Sequence, residues 1–177
     1  MVKRLGVFLA YTAFFIGALM IFVPKTSLYF LLEKEIKPLG VVISDEKIKE
    51  HFLDLEINHM NISVKGIDSA KIEKASVELL GFYNTLALHT ITLSSVASSF
   101  IPLHIESVYL RHNIINPLIV DINADGEFGK MVAKVNLKTR SLHAIVKPSQ
   151  LMLQKYRTSL RELKKTKEGE FVYDVSF

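Results

Sequence analysis

The sequence of 177 residues contains no cysteine. Disulfide bonds and thiolate chemistry are therefore excluded, and the folded part of the chain has to be held together by packing alone. The hydrophobic fraction of 49% is ample for one core. The net charge of +4 is small, and part of it comes from one C-terminal segment, so composition does not indicate nucleic-acid binding.

The chain also lacks the local patterns of common catalytic and metal sites. Two residues separate Gly126 from Gly129 and a strand follows, whereas a Walker-type phosphate loop has four residues between its glycines and leads into a helix. There is no Gly-x-Ser-x-Gly elbow. The six histidines lie on different predicted strands, and none has the i, i+4 spacing of a helical metal site. We therefore expect no enzyme activity, no catalytic residue, no metal and no cofactor.

One long apolar run is present, from Leu5 to Val23, with 19 uncharged residues. This is about the length that crosses a bilayer core of roughly 30 Å as a helix. Lys3 and Arg4 precede the run, which favours a cytoplasmic N-terminus and places the rest of the chain on the other side. A cleaved signal peptide is the alternative, but its apolar core is about 7–15 residues long and ends in a small-x-small site. The run ends "MIFVPKTS" and lacks such a site, so the sequence predicts a retained single-pass anchor over residues 1–24.

A juxtamembrane helix or neck is predicted over residues 25–40. Pro24 suits the first turn of a helix, and Pro38-Leu39-Gly40 ends it. Tyr29 and Phe30 lie where an aromatic belt would meet the lipid headgroups.

The remaining residues, 41–177, alternate between apolar and polar types with a period of two, which is typical of strands. The alternation slips near His59, at His89 and between Ile105 and Val108, as expected for β-bulges. Asp125-Gly126 is a hairpin signal. The stretch "DEKIKEHF", residues 45–52, is interpreted as a helix or loop, and "SSVASSF", residues 94–100, as a loop.

A helix is predicted at about 149–167, with Ser149 as its N-cap, and a final strand runs to Phe177. The ordinary interpretation of this helix is a solvated element that packs its apolar stripe on the sheet. The functional interpretation is contact with anionic headgroups or an acidic partner. The cationic side chains that would make this contact are Lys155, Arg157, Arg161, Lys164 and Lys165.

The anchor, the neck "VPKTSLYFLL", the strands "LDLEINHMNISVKGIDSAKIEKASVELL" and "LALHTITLSS", and the hairpin "DGEFGKMVAKVNL" with "LHAIVKPS" resemble the AsmA-like superfamily. Within it, the small type II secretion system protein N group is closest. The resemblance implies a bent, single-layer antiparallel sheet, β-taco or jellyroll-like, with an apolar inner groove. Larger relatives are associated with phospholipid transfer towards the outer membrane. A lipopolysaccharide-export subunit with one anchor and a periplasmic β-jellyroll is a second architecture of similar length and layout.

The expected fold is therefore mainly β: an N-terminal transmembrane helix, a bent antiparallel sheet, a C-terminal amphipathic helix and a final strand. A sheet with one apolar face covers that face with another sheet, a helix or a lipid tail. Many strands and only one convincing amphipathic helix favour a lipid groove. The residues predicted to line it are Leu55, Ile57, Ile62, Val64, Val77, Leu79, Leu88, Ile91, Met131, Ala133, Val135 and Leu137.

We expect a non-enzymatic, single-pass protein of the bacterial inner membrane with its β domain in the periplasm. The expected function is to hold or pass acyl chains of phospholipid or lipopolysaccharide along the groove. The alternative is a structural scaffold or assembly factor of a secretion or motility machine, whose sheet edges pair with other envelope proteins. No nucleic-acid partner is expected.

Overall fold

The computed structural model describes residues 2–22 and 24–177. Met1 and Val23, the last residue of the predicted anchor run, lie outside the described residues. Helix α1 spans Val2–Phe22 and helix α2 spans Lys25–Ile36. A 3-10 turn, Lys37–Leu39, follows α2 and ends at Gly40, whose φ of 83° is the left-handed conformation that glycine tolerates.

Helix α1 carries many exposed apolar side chains. Those described as exposed include Leu5, Phe8, Phe14, Phe15 and Phe22. Among the helices formed by residues 2–22 and 24–177, none is long and apolar enough to cross a membrane.

Within the same residues the chain forms eleven strands. Their bounds are β1 Val41–Ser44, β2 Lys47–Glu50, β3 Asp54–Val64, β4 Ile67–Leu79, β5 Tyr83–Leu93, β6 His104–Asn113, β7 Ile119–Gly126, β8 Gly129–Asn136, β9 Ser141–Pro148, β10 Lys164–Lys165 and β11 Phe171–Ser176.

The strands form one open antiparallel sheet. Strands β3 to β9 follow one another as a meander, and β11 joins beside β9 with β10 outside it. At the other edge, β1 pairs with the second half of β3 and β2 with the first half. The prediction of a mainly β, antiparallel fold with a final strand is confirmed.

Four neighbouring strands share a backbone slip at the same level of the sheet. Next to this level, apolar side chains recur every second residue along each strand, but at this level two side chains on the same face are three residues apart. The paired residues are Ile57 and Met60 on β3, Ile72 and Ala75 on β4, Leu88 and Ile91 on β5, and Ile105 and Val108 on β6.

Two residues in this slip line have a left-handed backbone, His59 with φ 59° and Thr90 with φ 55°. On β6 the register shifts between Ile105 and Ser107. The slips predicted near His59 and between Ile105 and Val108 are confirmed, and the one predicted at His89 lies one residue later. The slip on β4 was not predicted.

The hairpin of β7 and β8 is confirmed, with Glu127 and Phe128 as its two turn residues. A side chain on Gly126 would lie 2.8 Å from the Cα of Ile105, and one on Gly129 would lie 2.1 Å from the carbonyl oxygen of Lys147. Both glycines therefore permit close backbone approach, and neither belongs to a phosphate loop.

Three local predictions are wrong. Residues 47–50 form β2, because Ile48 lies opposite Ile57 in the sheet and the ladder replaces local helical bonding. Residues 95–99 form a 3-10 helix. The helix predicted at 149–167 is two short helices, α3 Gln150–Lys155 and α4 Arg157–Arg161, followed by β10. The backbone breaks at Tyr156, and Lys164 and Lys165 pair with β11.

The left-handed backbone at Thr90 predicts an unusual response to glycine. For a β-branched residue this conformation costs roughly 1–2 kcal/mol, more than the 0.5–1 kcal/mol that glycine loses in a strand. Thr90→Gly is therefore expected to leave the free energy of unfolding unchanged or raise it by up to about 1 kcal/mol. Thr92→Gly, on the same strand with ordinary geometry, is expected to lower it by about 1 kcal/mol. Chemical unfolding measures both, and equal losses would contradict the assigned backbone.

Candidate functional site

One face of the sheet is apolar from β3 to β11. Residues directly opposite each other in an antiparallel ladder direct their side chains to the same face. The ladders therefore place on this inner face a row that crosses eight strands: Ile57, Ala75, Leu88, Val108, Ala124, Met131, Val146 and Phe171.

Helix α2 covers the inner face at the β3 end of the sheet. Its Tyr29 is only 8% exposed and packs in a buried cluster with Leu55, Ile57, Met60, Ile72, Ala75 and Ile91. The position predicted for Tyr29, at the headgroups, is therefore wrong, because the ring is buried against the sheet. The Tyr29 hydroxyl has no hydrogen-bond partner in the cluster. Burial raises the pKa of Tyr29 well above its ordinary value, and the charges of Glu46 and Glu33 add to the effect.

Polar contacts at the start of α2 fix its position. The carboxylate of Glu50, at the end of β2, accepts hydrogen bonds from the backbone N–H groups of Lys25 and Thr26, both at 3.2 Å, and from the Thr26 hydroxyl. These bonds hold the pKa of Glu50 below its ordinary value, the Thr26 hydroxyl being the largest cause. Lys25 is 2% exposed, and its Nζ donates to the carbonyl oxygen of Phe52 at 3.0 Å.

Helices α3 and α4 cover the inner face at the other end. Met152 and Leu160 are buried in a second cluster with Ala124, Phe128 and Phe171. Ser149 is the N-cap, as predicted: its hydroxyl accepts from the N–H of Met152 at 3.1 Å. The same hydroxyl donates to the carbonyl oxygen of Glu127, so the β7–β8 turn is tied to the helix that covers it.

Near the end of the sheet formed by the β4–β5, β6–β7 and β8–β9 turns, some inner-face side chains are only half-buried and belong to neither cluster. We call them the open strip: Leu79, Leu110, Val120, Ile122, Val135 and Leu142. They occupy two adjacent rows of the ladders, where Ile122 lies opposite Leu110 and Val135 lies opposite both Val120 and Leu142. The open strip is an apolar surface on which an apolar ligand would be shielded from water.

Of the residues predicted to line a groove, all but Leu137 occupy inner-face positions in the ladders, and they differ in burial. Leu55, Ile57, Ile91 and Ala133 are buried, and the first three belong to the cluster under Tyr29. The half-buried members are Ile62, Val77, Leu79, Leu88, Met131 and Val135. Val64 and Leu137 are exposed, Leu137 in the turn after β8. Of the twelve, Leu79 and Val135 belong to the open strip.

Sequence reasoning missed Tyr29 and four members of the open strip. Val120 and Ile122 lie in a stretch whose alternation was visible, and Leu110 and Leu142 each lie two residues from another apolar position. Alternation therefore could have found them as face residues. Their exposure depends on where the helices lie.

The predicted cationic residues Lys155, Arg157, Arg161, Lys164 and Lys165 are all exposed, spread over α3, α4 and β10. Arg157, Arg161 and Lys165 line a cavity of about 320 Å³ with Leu160 and Phe171 in its wall. Lys165 Nζ lies 6.0 Å from the centroid of the Phe171 ring.

Two other cavities lie at the end of the sheet where β3 turns into β4. One of about 490 Å³ is lined by polar residues including Asp45, Asn61 and Asp68. The other, of about 450 Å³, is mainly apolar and includes Val96 and Phe100. Neither contains a residue of the open strip.

No group of three or more histidine, aspartate or glutamate side chains suited to a metal ion occurs in the described part of the chain. No protein-family model matches the chain, and neither a curated protein nor a solved structure matches it significantly.

The unpaired hydroxyl of Tyr29 predicts a stability difference between two substitutions. Tyr29→Phe removes a buried group without a partner and keeps the ring, so we expect the free energy of unfolding to stay constant or rise by about 1 kcal/mol. Tyr29→Ala removes the ring from the cluster and is expected to lower it by about 3–5 kcal/mol. Thermal unfolding followed by circular dichroism measures both; a large loss for Tyr29→Phe would show that the hydroxyl has a stabilising partner.

The Glu50 contacts predict a pH dependence. Because its pKa is lower in the folded state, Glu50 stabilises the fold above its ordinary value of 4.5 and loses this contribution as the pH falls through the folded pKa. Glu50→Gln is expected to reduce the fall in melting temperature below pH 4.5. Thr26→Val removes the main hydroxyl donor and is expected to act in the same direction. An unchanged pH profile in both variants would show that Glu50 does not hold α2.

Proposed function

We propose that this chain is a non-enzymatic, membrane-anchored protein of the bacterial inner membrane that holds or passes lipid acyl chains on the inner face of its periplasmic sheet. The observation that carries the proposal is the open strip. Five of its six large apolar side chains lie on the neighbouring strands β6 to β9, on a face that helices cover elsewhere. An acyl chain is a suitable cover, because each methylene that it buries contributes about 0.8 kcal/mol.

The acyl chain would lie across β6 to β9, next to Ala133 and Ala144. These two small side chains are opposite each other, Ala133 lies opposite Ile122, and Val135 and Leu142 are two residues away on the same two strands. The cations around the 320 Å³ cavity, Arg157, Arg161 and Lys165, lie beside the cover formed by α4 and would suit an anionic headgroup.

The membrane anchor in this proposal is the sequence run from Leu5 to Val23, with Lys3 and Arg4 on the cytoplasmic side. The exposed apolar side chains of α1 support it, since a helix that is apolar around its circumference requires a lipid or protein environment. The likeness of the strands to the AsmA-like superfamily, and to the type II secretion protein N group, supports the same function. A bent sheet with a lipid groove is what that likeness implies.

A scaffold function is the second candidate, and the edge of β11 favours it. Strand β10 pairs only with Phe171 and Val172. In the part of the chain that the structure describes, no strand pairs with the outer edge of β11 from Tyr173 to Ser176. Such an edge can accept a strand from another envelope protein.

Photocrosslinking with a phospholipid that carries a diazirine in its acyl chain distinguishes the two functions. Val135→Asp places a charge in the open strip and is expected to reduce labelling of the full-length protein several-fold. Val132→Asp is the matched control: it lies on the same strand, directed to the outer face and 52% exposed, and should label like the unmodified protein.

The milder Val135→Thr keeps the side-chain shape and is expected to give an intermediate loss, provided that circular dichroism shows the same fold in all variants. Equal labelling of all four proteins would contradict lipid binding on the open strip. If, in addition, a benzophenone at Tyr173 crosslinks a second protein, the scaffold function is the one supported.

A further inference from the structure

The turns at one end of the sheet share a property that the open strip does not explain. Because successive strands alternate in direction, the β2–β3, β4–β5, β6–β7 and β8–β9 turns lie at the same end as the last residue of β11. Each of these five places carries an exposed large apolar side chain. We call the set the apolar rim: Phe52, Phe82, Ile114, Ile115, Leu137 and Phe177.

Backbone hydrogen bonds connect four of these five places, from the β4–β5 turn to the end of β11. The N–H of Ile114 donates to the carbonyl oxygen of Phe82 at 2.9 Å, which joins the second and third turns. The N–H of Leu137 donates to Leu118 at 2.8 Å, which joins the third and fourth. The N–H of Phe177 donates to Arg140 at 2.9 Å. From Phe82 to Phe177 the rim is therefore a connected apolar edge, and Ile115 is its most exposed member at 85%.

The apolar helix α1 leaves the domain at this same end. Buried Lys25, three residues after the last residue of α1, donates from Nζ to the carbonyl oxygen of Phe52 in the β2–β3 turn. The four turns of the rim, residues 51–53, 80–82, 114–118 and 137–140, contain no aspartate or glutamate, and the last contains Lys138 and Arg140. Glu50 and Asp54 flank the first turn, whereas the fourth turn is purely basic. The apolar tips, together with Lys138 and Arg140, suit an anionic lipid surface.

The open strip reaches the rim. Leu79 directly precedes the β4–β5 turn, Val120 follows the β6–β7 turn, and Val135 and Leu142 flank the β8–β9 turn. Asn84 and His112 interrupt this row between Leu79 and Val120, with 3.5 Å between Asn84 Nδ2 and His112 Nδ1. Polar atoms at this point would lie level with the headgroups.

We propose that the apolar rim rests on the leaflet surface of the membrane that α1 enters, so that the open strip opens directly onto the lipid. The inference rests on the proposed function and adds to it an orientation and an entry path for the acyl chain. Exposed Ile67, Val96 and Phe100 lie at the opposite end of the sheet, away from the exit of α1. They provide the control positions.

The absence of cysteine makes a site-specific test direct. Ile115→Cys and Val96→Cys, each labelled with an environment-sensitive nitrobenzoxadiazole, are introduced separately into the full chain and reconstituted into vesicles of phosphatidylethanolamine and phosphatidylglycerol. Nitroxide-bearing phospholipid is then added as a quencher. We expect the label at Ile115 to be blue-shifted and quenched several-fold more strongly than the label at Val96. Equal quenching, or stronger quenching at Val96, would overturn the inference.

Two further measurements keep the outcomes separate. Phe82→Cys, on another turn of the rim, should behave like Ile115→Cys, and an aqueous signal from both would overturn the inference even if one label perturbs its turn. Extraction of the same vesicles with alkaline carbonate tests the anchor independently. If the protein resists extraction but the label at Ile115 reports an aqueous environment, the anchor is supported and contact of the rim with the membrane is contradicted. If the protein is extracted but the label at Ile115 is quenched, contact of the rim with the membrane is supported and the anchor is contradicted.

Discussion

The aligned backbone slip across β3 to β6 is the constraint on which the rest of the structure depends. A strand of strict alternation would direct the apolar residues on one side of the slip to the outer face. The left-handed backbone at His59 and Thr90 costs roughly 1–2 kcal/mol at each position. Burial of Met60, Ile72 and Ile91 contributes about 1.5–3 kcal/mol each, so the slip is favourable overall. It keeps one face apolar along the full length of the strands.

A continuous apolar face on an open sheet has to be covered, and the chain covers it incompletely. Helix α2 is held over the β3 end by Glu50, and helices α3 and α4 are held over the other end by Ser149. Both clusters contact Ile105 and Val108, so the two covers meet near β6. On β6 to β9, the side chains in the two rows nearest the apolar rim belong to neither cluster of the described residues. The uncovered rows are therefore the part of the sheet on which we place the lipid.

Much of the sheet could be predicted from alternation alone, including the slips at His59 and between Ile105 and Val108. The slip on β4 is hidden because charged residues flank Ile72 and Ala75, and β2 contains only one apolar residue. Met152, Tyr156, Leu160 and Leu163 have the spacing of one long helix, yet packing of Tyr156 on the second cluster accompanies a break there. The open strip could not be distinguished from the packed core by sequence. Alternation shows on which face of the sheet a side chain lies, but not whether a helix packs over it.

Native mass spectrometry of the full-length protein released from membranes, with lipid extraction from the same sample, tests the central claim most directly. The account predicts a population with phospholipid or lipid A bound at defined stoichiometry after detergent is removed in the gas phase. It also predicts that Val135→Asp loses this population while the outer-face variant keeps it. A folded, lipid-free protein in both cases would contradict the claim that the inner face holds acyl chains.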